Sequence, residues 1–456
     1  MLNTGYMEKL DRDLLGEGML SGEPYTLVED LSDMGSRFGG TESEREAVEY
    51  LLQKMRSYGF DNVHEEPFTY TGWRRGTASL VATHPVTQEY DVISLPHCGS
   101  FSVEGELHYM GLGTPAEWES QQDNLAGKII IVDAKSPHWI GRGIHRLEKY
   151  GRAVLAGAAG FIWMRDQGGF LVETGGLRPG AEIPGIAISR EEGMHLIRLA
   201  KSSGDGSVHV RIETENTVEE MTSWNVVGDI PGEEMGDRVV IIGAHFDGHD
   251  IAPGSMDDAS GAAVAMESGR LLARHRGRLA RTIRIICFPV EEIGLIGSRR
   301  YVQAHQGELD RIDFMLNLDG AGRSGEKAVM LQAWPELLPV FKEISANMKW
   351  PFVTDTAFGM SSDMYPFSYM GIPSGRLADI SGVKTGRNWG HTIADTLDKV
   401  SSLDLRSDST LVARIMARVA NWDNWPADHK TTEEILNIIE RAGLGEVLHF
   451  SRKKLT

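Results

Sequence analysis

The stretch DRVVIIGAHFDGHDIAPGSMDDASGAAVAMESGRLLARH, residues 237–275, decides the fold. Its opening Val/Ile run has the composition of a strand buried on both faces, and it ends abruptly at His245, where a polar, glycine-containing loop begins. A helical pattern follows from Ser260. The same unit recurs downstream: TIRIICFPV (282–290) leads through an acidic pair into IGLIGSRRYVQAH (293–305), and IDFMLNLDG (312–320) precedes ELLPVFKEISANM (336–348). Strand and helix in alternation predict an α/β fold with a mixed, mostly parallel sheet sandwiched by helices. The polar residues His245 with Asp247, Glu291 with Glu292, and Asp319 all fall at or just past the C-terminal ends of the apolar runs. That is the edge at which open α/β sheets bind ligands.

Upstream the texture differs. TESEREAVEYLLQKMRSY (41–58) spaces Ala47, Val48, Leu51, Leu52 and Met55 as one face of a helix that Gly59 stops, and the strand-like FDNVHEEPFTYTGW (60–73) follows. Between about Thr77 and Ser223, short β-like runs such as LAGKIIIVDA, AGFIWMRD and AEIPGIAISR alternate with HRLEKYGRAVLAGAA and REEGMHLIRLAKS. The expected organisation is therefore one domain over 1–76 and 224–456, with a β-rich α/β domain inserted at 77–223. TTEEILNIIERAGLGEVL (431–448) reads as one more amphipathic helix.

Composition narrows the function. The chain of 456 residues carries 65 acidic against 46 basic side chains, a formal charge of -19, which repels phosphate backbones and anionic membrane surfaces. Neither nucleic acid nor a membrane is an expected partner. Cys98 and Cys287 are the only cysteines, and Cys287 lies within an apolar strand, so a disulfide framework is not expected. MLNTGYMEKLDRDLL lacks a basic segment followed by an apolar one, so the chain as written is expected to be cytoplasmic, or secreted if it is a trimmed mature form.

The polar set has the residue types that hold divalent metals. Imidazole and carboxylate suit zinc, with manganese or cobalt as alternatives. Two closely spaced ions need a shared carboxylate, further ligands on each side and a base that is not itself a ligand. The expected assignment puts His245 and Asp319 on one ion, Glu292 and His391 of GHTIAD (390–395) on the other, and Asp257 between them. Asp247, two residues from His245, is expected to orient that imidazole. The rival chemistries lack their motifs: His64-Glu65 is followed by Glu66, Pro67 and Phe68 rather than completing H-E-x-x-H, and neither a G-x-S-x-G elbow nor a P-loop is present.

GAHFDG, PGSMDDASGAAVAMESGRLL, EEIGLIGS, NLDG, SSDMYPFSYMGIP and GHTIADTLDKV resemble, in order and spacing, the motifs of the co-catalytic zinc exopeptidases of the aminopeptidase and glutamate carboxypeptidase type. SRFGGTESE, SWNVVGDIPG and the inserted segment resemble the members that carry a protease-associated domain. The resemblance implies hydrolysis of terminal peptide bonds in dipeptides or short peptides, with two ions activating a bridging water and Glu291 as the general base. It implies the same ligand roles as above and leaves amino- against carboxy-terminal specificity open. A homodimer is compatible with it. The alternatives are a glutaminyl-cyclase-like acyl transferase, which typically works with a single zinc, and a non-catalytic peptidase-fold receptor or scaffold, in which a ligand or the base should be missing.

Other residues carry weaker expectations. Asp258 reads as a helix cap or a support for the ligands. Arg376 in GIPSGRL suits a substrate carboxylate or a surface ion pair, and Asp363 and Tyr365 are expected to shape the pocket. Trp389 is expected to pack, and His249 and Asp250 to be solvated loop positions.

Overall fold

The structure, a computed structural model, describes residues 4–204, 206–380 and 389–451. The strand Met235–His245 lies within the sheet, parallel to Arg281–Phe288 on one side and to Ile312–Asn317 on the other. Ser374–Asp379 continues in parallel beyond Ile312–Asn317, Lys327–Leu331 pairs antiparallel with it, and Val353–Thr356 closes that end. Side chains alternate across the sheet. Val240, Ile242 and Ala244 enter the core formed with the helices Ser260–Ala273 and Ser402–Ala420, whereas Ile241 packs with Ile286, Phe288 and Tyr301 on the opposite face. Apolar side chains on both faces explain the unbroken Val/Ile runs, and the expected mixed, mostly parallel sheet between helices is borne out.

Two long antiparallel strands, Asp61–His84 and His209–Ile230, carry the sheet out of this body. Beyond them the central segment adds Phe101–Tyr109, Ile129–Asp133, Gly160–Met164 and Gly185–Ile188 to the same sheet. It has cores of its own: Ile129 and Ile131 face one cluster, Ile130 and Val132 another. The helix Glu42–Ser57 begins as expected, with the Thr41 side chain accepting from the Glu44 N–H. The helix Thr4–Leu20 is tied to the body by Asp11, whose carboxylate meets Arg414 at 2.9 Å and Arg418 at 2.6 Å, all three side chains largely buried.

The C-terminal expectation of one helix needs correction, because two are present, Thr432–Arg441 and Gly445–Ser451. Gly443 takes φ +69°, and the Leu444 N–H bonds to the Ile439 carbonyl at 3.0 Å, a left-handed cap that ends the first helix. Cys98 and Cys287 are both buried free thiols. No helix among the described residues is long and apolar enough to cross a membrane.

Candidate active site

Three strand ends and two loops converge on one cluster. His245 is the last residue of its strand and pairs in register with Phe288, three positions before Glu291, while Asp319 follows Asn317, the end of the neighbouring strand. Asp257 is in the loop leading to the helix Ser260–Ala273, and its peptide to Asp258 is cis. Two bends are set by residues with positive φ, Val290 at +57° and His391 at +61°, so the loops aiming Glu291 and the His391 ring hold backbone conformations that surrounding structure must enforce.

The carboxylate of Asp257 faces both ways. Its Oδ1 is 3.7 Å from His245 Nε2 and its Oδ2 is 3.4 Å from His391 Nε2, while His391 Nε2 is also 3.2 Å from Glu292 Oε2. His245, Asp257 and Asp319 each present a donor atom within 4.8 Å of the others, and so do His249, Glu292 and His391. Gly390 must be small here, since a Cβ would stand 2.9 Å from Asp257 Oδ2.

Both ligand-type histidines are oriented through Nδ1. His245 Nδ1 lies 3.0 Å from the backbone carbonyl of Asp247, and His391 Nδ1 lies 3.3 Å from that of Thr174. A carbonyl only accepts, so each Nδ1 carries a proton and each Nε2 is turned to the carboxylates. The Asp247 carboxylate accepts from the N–H groups of Glu291 at 3.1 Å and Glu292 at 3.4 Å and stands 3.4 Å from His245 Nδ1, so it holds the acidic loop and, with its own main-chain carbonyl, orients His245. Asp258 is fully buried and caps, its Oδ1 accepting from Gly261 at 3.0 Å and Gly320 at 2.9 Å. Asp395 accepts from Met256 at 2.7 Å and Asp257 at 3.1 Å, holding the loop of the two-faced carboxylate. Arg37, also fully buried, donates to the carbonyls of Phe246 at 2.6 Å, Pro253 at 2.6 Å and Gly254 at 3.0 Å, lacing the loop from the other side.

The electrostatics follow from burial against crowded charge. Burial opposes protonation of His245 and His391, yet Glu291, Asp247 and Asp257 hold His245, and Glu292 and Asp257 hold His391, well above the ordinary imidazole range. Burial equally opposes ionisation of Asp257 and Glu292. The imidazoles win: His245 and His391 keep Asp257, and His249 and His391 keep Glu292, well below the usual carboxylate range. Burial lifts Glu291 well above that range, with His245 opposing. Protons on imidazole thus supply positive charge where the carboxylates demand it, and divalent cations would supply it better. Buried atoms without a hydrogen-bond partner among the described residues, Glu292 Oε1 and Asp258 Oδ2, fit the same donor set.

The remaining expected residues are spread more widely. Asp363 is fully buried, accepts from Ser298 Oγ at 2.5 Å, and is pushed up to about 7 by burial. Tyr365 is fully buried in the main core, its ring 6.4 Å from Phe358 and 5.9 Å from Tyr369. Arg376 is half-buried on the strand paired with Ile312–Asn317, directly opposite Asn317. Lys399 lies over the Trp389 ring at 5.4 Å. Asp250 is bound through both oxygens by Arg75, at 2.6 and 2.7 Å. His249 is not solvated: it is 3% exposed and its ring is 4.5 Å from that of His391.

Residues 225–416 match the model of Peptidase family M28, and residues 97–196 match that of the PA domain. Carboxypeptidase Q of Bos taurus is 25% identical over 293 residues, 63% of this chain, and the match spans 62% of that relative's length. The structure of a Peptidase M28 precursor from Shewanella amazonensis SB2B superposes with a TM-score of 0.80 at 26% identity, covering 94% of this chain and all (100%) of the other. BSAP, a zinc aminopeptidase from Bacillus subtilis, shares the fold with a TM-score of 0.67 at 22% identity, covering 90% of this chain and 97% of the other. The resemblance read from the sequence is thereby borne out as a likeness: residues 225–416 are similar to Peptidase family M28, residues 97–196 to the PA domain, and the chain shares its fold with peptidases of known structure.

Proposed function

We propose that the chain is a two-metal exopeptidase acting on dipeptides or short peptides. The observation carrying this reading is the placement of Asp257, one oxygen towards His245 and the other towards His391, between two sets of imidazole and carboxylate donors. His245, Asp257 and Asp319 would hold one ion, and Asp257, Glu292 and His391 the other; the donor set suits zinc, with manganese or cobalt able to substitute. Ions held by these residues would supply Lewis acidity, which acidifies water and polarises a carbonyl.

The protein's own groups do the rest. Glu291 takes a proton from the attacking water and returns it to the leaving amine. Its backbone is held by Asp247 and by the left-handed turn at Val290, so the carboxylate is positioned before substrate arrives. Short substrates are favoured by the PA-domain segment pressed against the site. The Thr174 N–H bonds to the His391 carbonyl at 2.8 Å, and His97 Nε2 bonds to the Ile293 carbonyl at 2.7 Å, just past the acidic pair.

The test is a panel of dipeptides with free, acylated or amidated ends, assayed with and without chelator. Chelator-sensitive turnover that a blocked amine abolishes marks an aminopeptidase. Turnover abolished by a blocked carboxylate instead marks a carboxypeptidase and places Arg376 in the specificity pocket. A metal-loaded protein that binds dipeptides but releases no amino acid overturns the proposal.

A further inference from the structure

His249 lies in the loop FDGHDI, two residues past Asp247, and nothing in the roles above uses it. Its side chain is buried, with Nδ1 lacking a hydrogen-bond partner among the described residues. An imidazole buried in that way forfeits the hydration of each polar atom left unsatisfied. Its Nε2 nevertheless stands 3.0 Å from Glu292 Oε2, and the other oxygen of Glu292 is also without a partner. His249, Glu292 and His391 converge with donor atoms within 4.8 Å of one another. Two imidazole nitrogens turned to one carboxylate oxygen, at 3.0 and 3.2 Å, with His249 Nδ1 and the second Glu292 oxygen left over, are arranged as donors to a common centre.

The backbone presets this. The Gly248 N–H bonds to the Ser36 carbonyl at 2.8 Å, and a Cβ at Gly248 would stand 2.9 Å from Gly254 Cα, so the chain just before His249 is closely packed. On the other side Arg75 pins Asp250 through both oxygens. The ring is therefore aimed by residues on either side of it.

We propose that His249 is a further protein ligand of the ion held by Glu292 and His391. The inference rests on the two-metal reading and goes beyond it. With Asp257 Oδ2 that ion would have four protein donors, the number of a tightly held site, whereas His245, Asp257 and Asp319 would give theirs three. The two sites would then differ in affinity, the one with four protein donors retaining its ion more tightly than the one with three.

The experiment uses the full chain, stripped by chelation and reloaded with zinc. Metal content and competition with a chromophoric chelator are measured for wild type, His249→Ala and the volume-conserving His249→Phe, with X-ray absorption on the loaded wild type. The expected wild type holds about two zinc ions averaging about 1.5 imidazoles each, and the variants weaken one site at least about tenfold while sparing the other. About 1 imidazole per zinc in a two-zinc wild type, or variants with both affinities unchanged, overturns the inference alone. A wild type that holds a single zinc overturns the two-metal reading and this inference together. The absorption measurement needs no variant, so misfolding of both substitutions does not shield the proposal.

Discussion

Glu44→Gln should make the protein more stable at alkaline pH while leaving it little changed in mild acid. Glu44 is fully buried in the first turn of the helix Glu42–Ser57; its Oε2 accepts from the Gly40 N–H at 2.6 Å and its Oε1 from the Ser223 hydroxyl. Burial carries the carboxyl from 4.5 up to about 8, the two hydrogen bonds offsetting only part of that. A carboxyl raised in the folded state favours folding while protonated. Its contribution is complete below the unfolded value and is lost as pH rises through the folded one. Each pKa unit is worth about 1.4 kcal/mol, so the interval between those values corresponds to at most about 5 kcal/mol, and relaxation around the ionised group makes about 2–5 the expected range. Glutamine keeps both contacts, its carbonyl accepting from Gly40 and its amide donating to Ser223, and it does not ionise. Urea denaturation of both proteins from about pH 5 to about pH 9 reads the effect as a widening gap in favour of the variant. A difference independent of pH across that interval refutes the assignment of a buried, neutral Glu44.

Two further substitutions test the scaffold. Asp395→Ala removes the acceptor shared by Met256 and Asp257 and leaves two backbone N–H groups unsatisfied, so thermal unfolding should register a loss of about 2–5 kcal/mol, and chelator competition a tenfold to hundredfold weaker metal affinity of about the size seen for ligand supports. Asp11→Ala strands Arg414 and Arg418 without their carboxylate and should cost about 3 kcal/mol by denaturation at neutral pH. Burial opposes ionisation of Asp11, but both arginines hold its pKa below 3.8, so its contribution is present above that value and is lost as pH falls through the folded one; the gap to the variant should close in acid.

The fold and much of the site were legible because they rest on local patterns. His245, Glu291, Glu292 and Asp319 stand where apolar runs stop, and a strand buried on both faces cannot continue through such residues without stranding them in the core. Asp257 sits between a strand and the helix that returns from it. Where the sequence misled, the cause was in most places long-range. His249 looks like any polar loop residue, and its burial comes from packing against His391 and from Arg75 gripping Asp250 across the fold. Thr174 orients His391 through its main chain, which leaves no side-chain signature. Asp395 was visible within GHTIAD, but its role required knowing that the Met256–Asp257 backbone folds against it. Tyr365 follows a polar loop yet turns into the core, because the helix Met364–Tyr369 is covered on all sides. The break at Gly443 was a local signal, AGLG, overridden by the apolar spacing on either side of it.

The central claim is a two-metal centre whose proton is carried by Glu291, and it is tested most directly by Glu291→Gln at matched metal content. Wild type and variant are loaded with zinc, the metal in each is quantified, and dipeptide hydrolysis is followed on the same samples. The account predicts about two zinc ions in both proteins and a kcat lower by about 10²–10⁴-fold in the variant. Undiminished turnover by a fully loaded Glu291→Gln protein would contradict it.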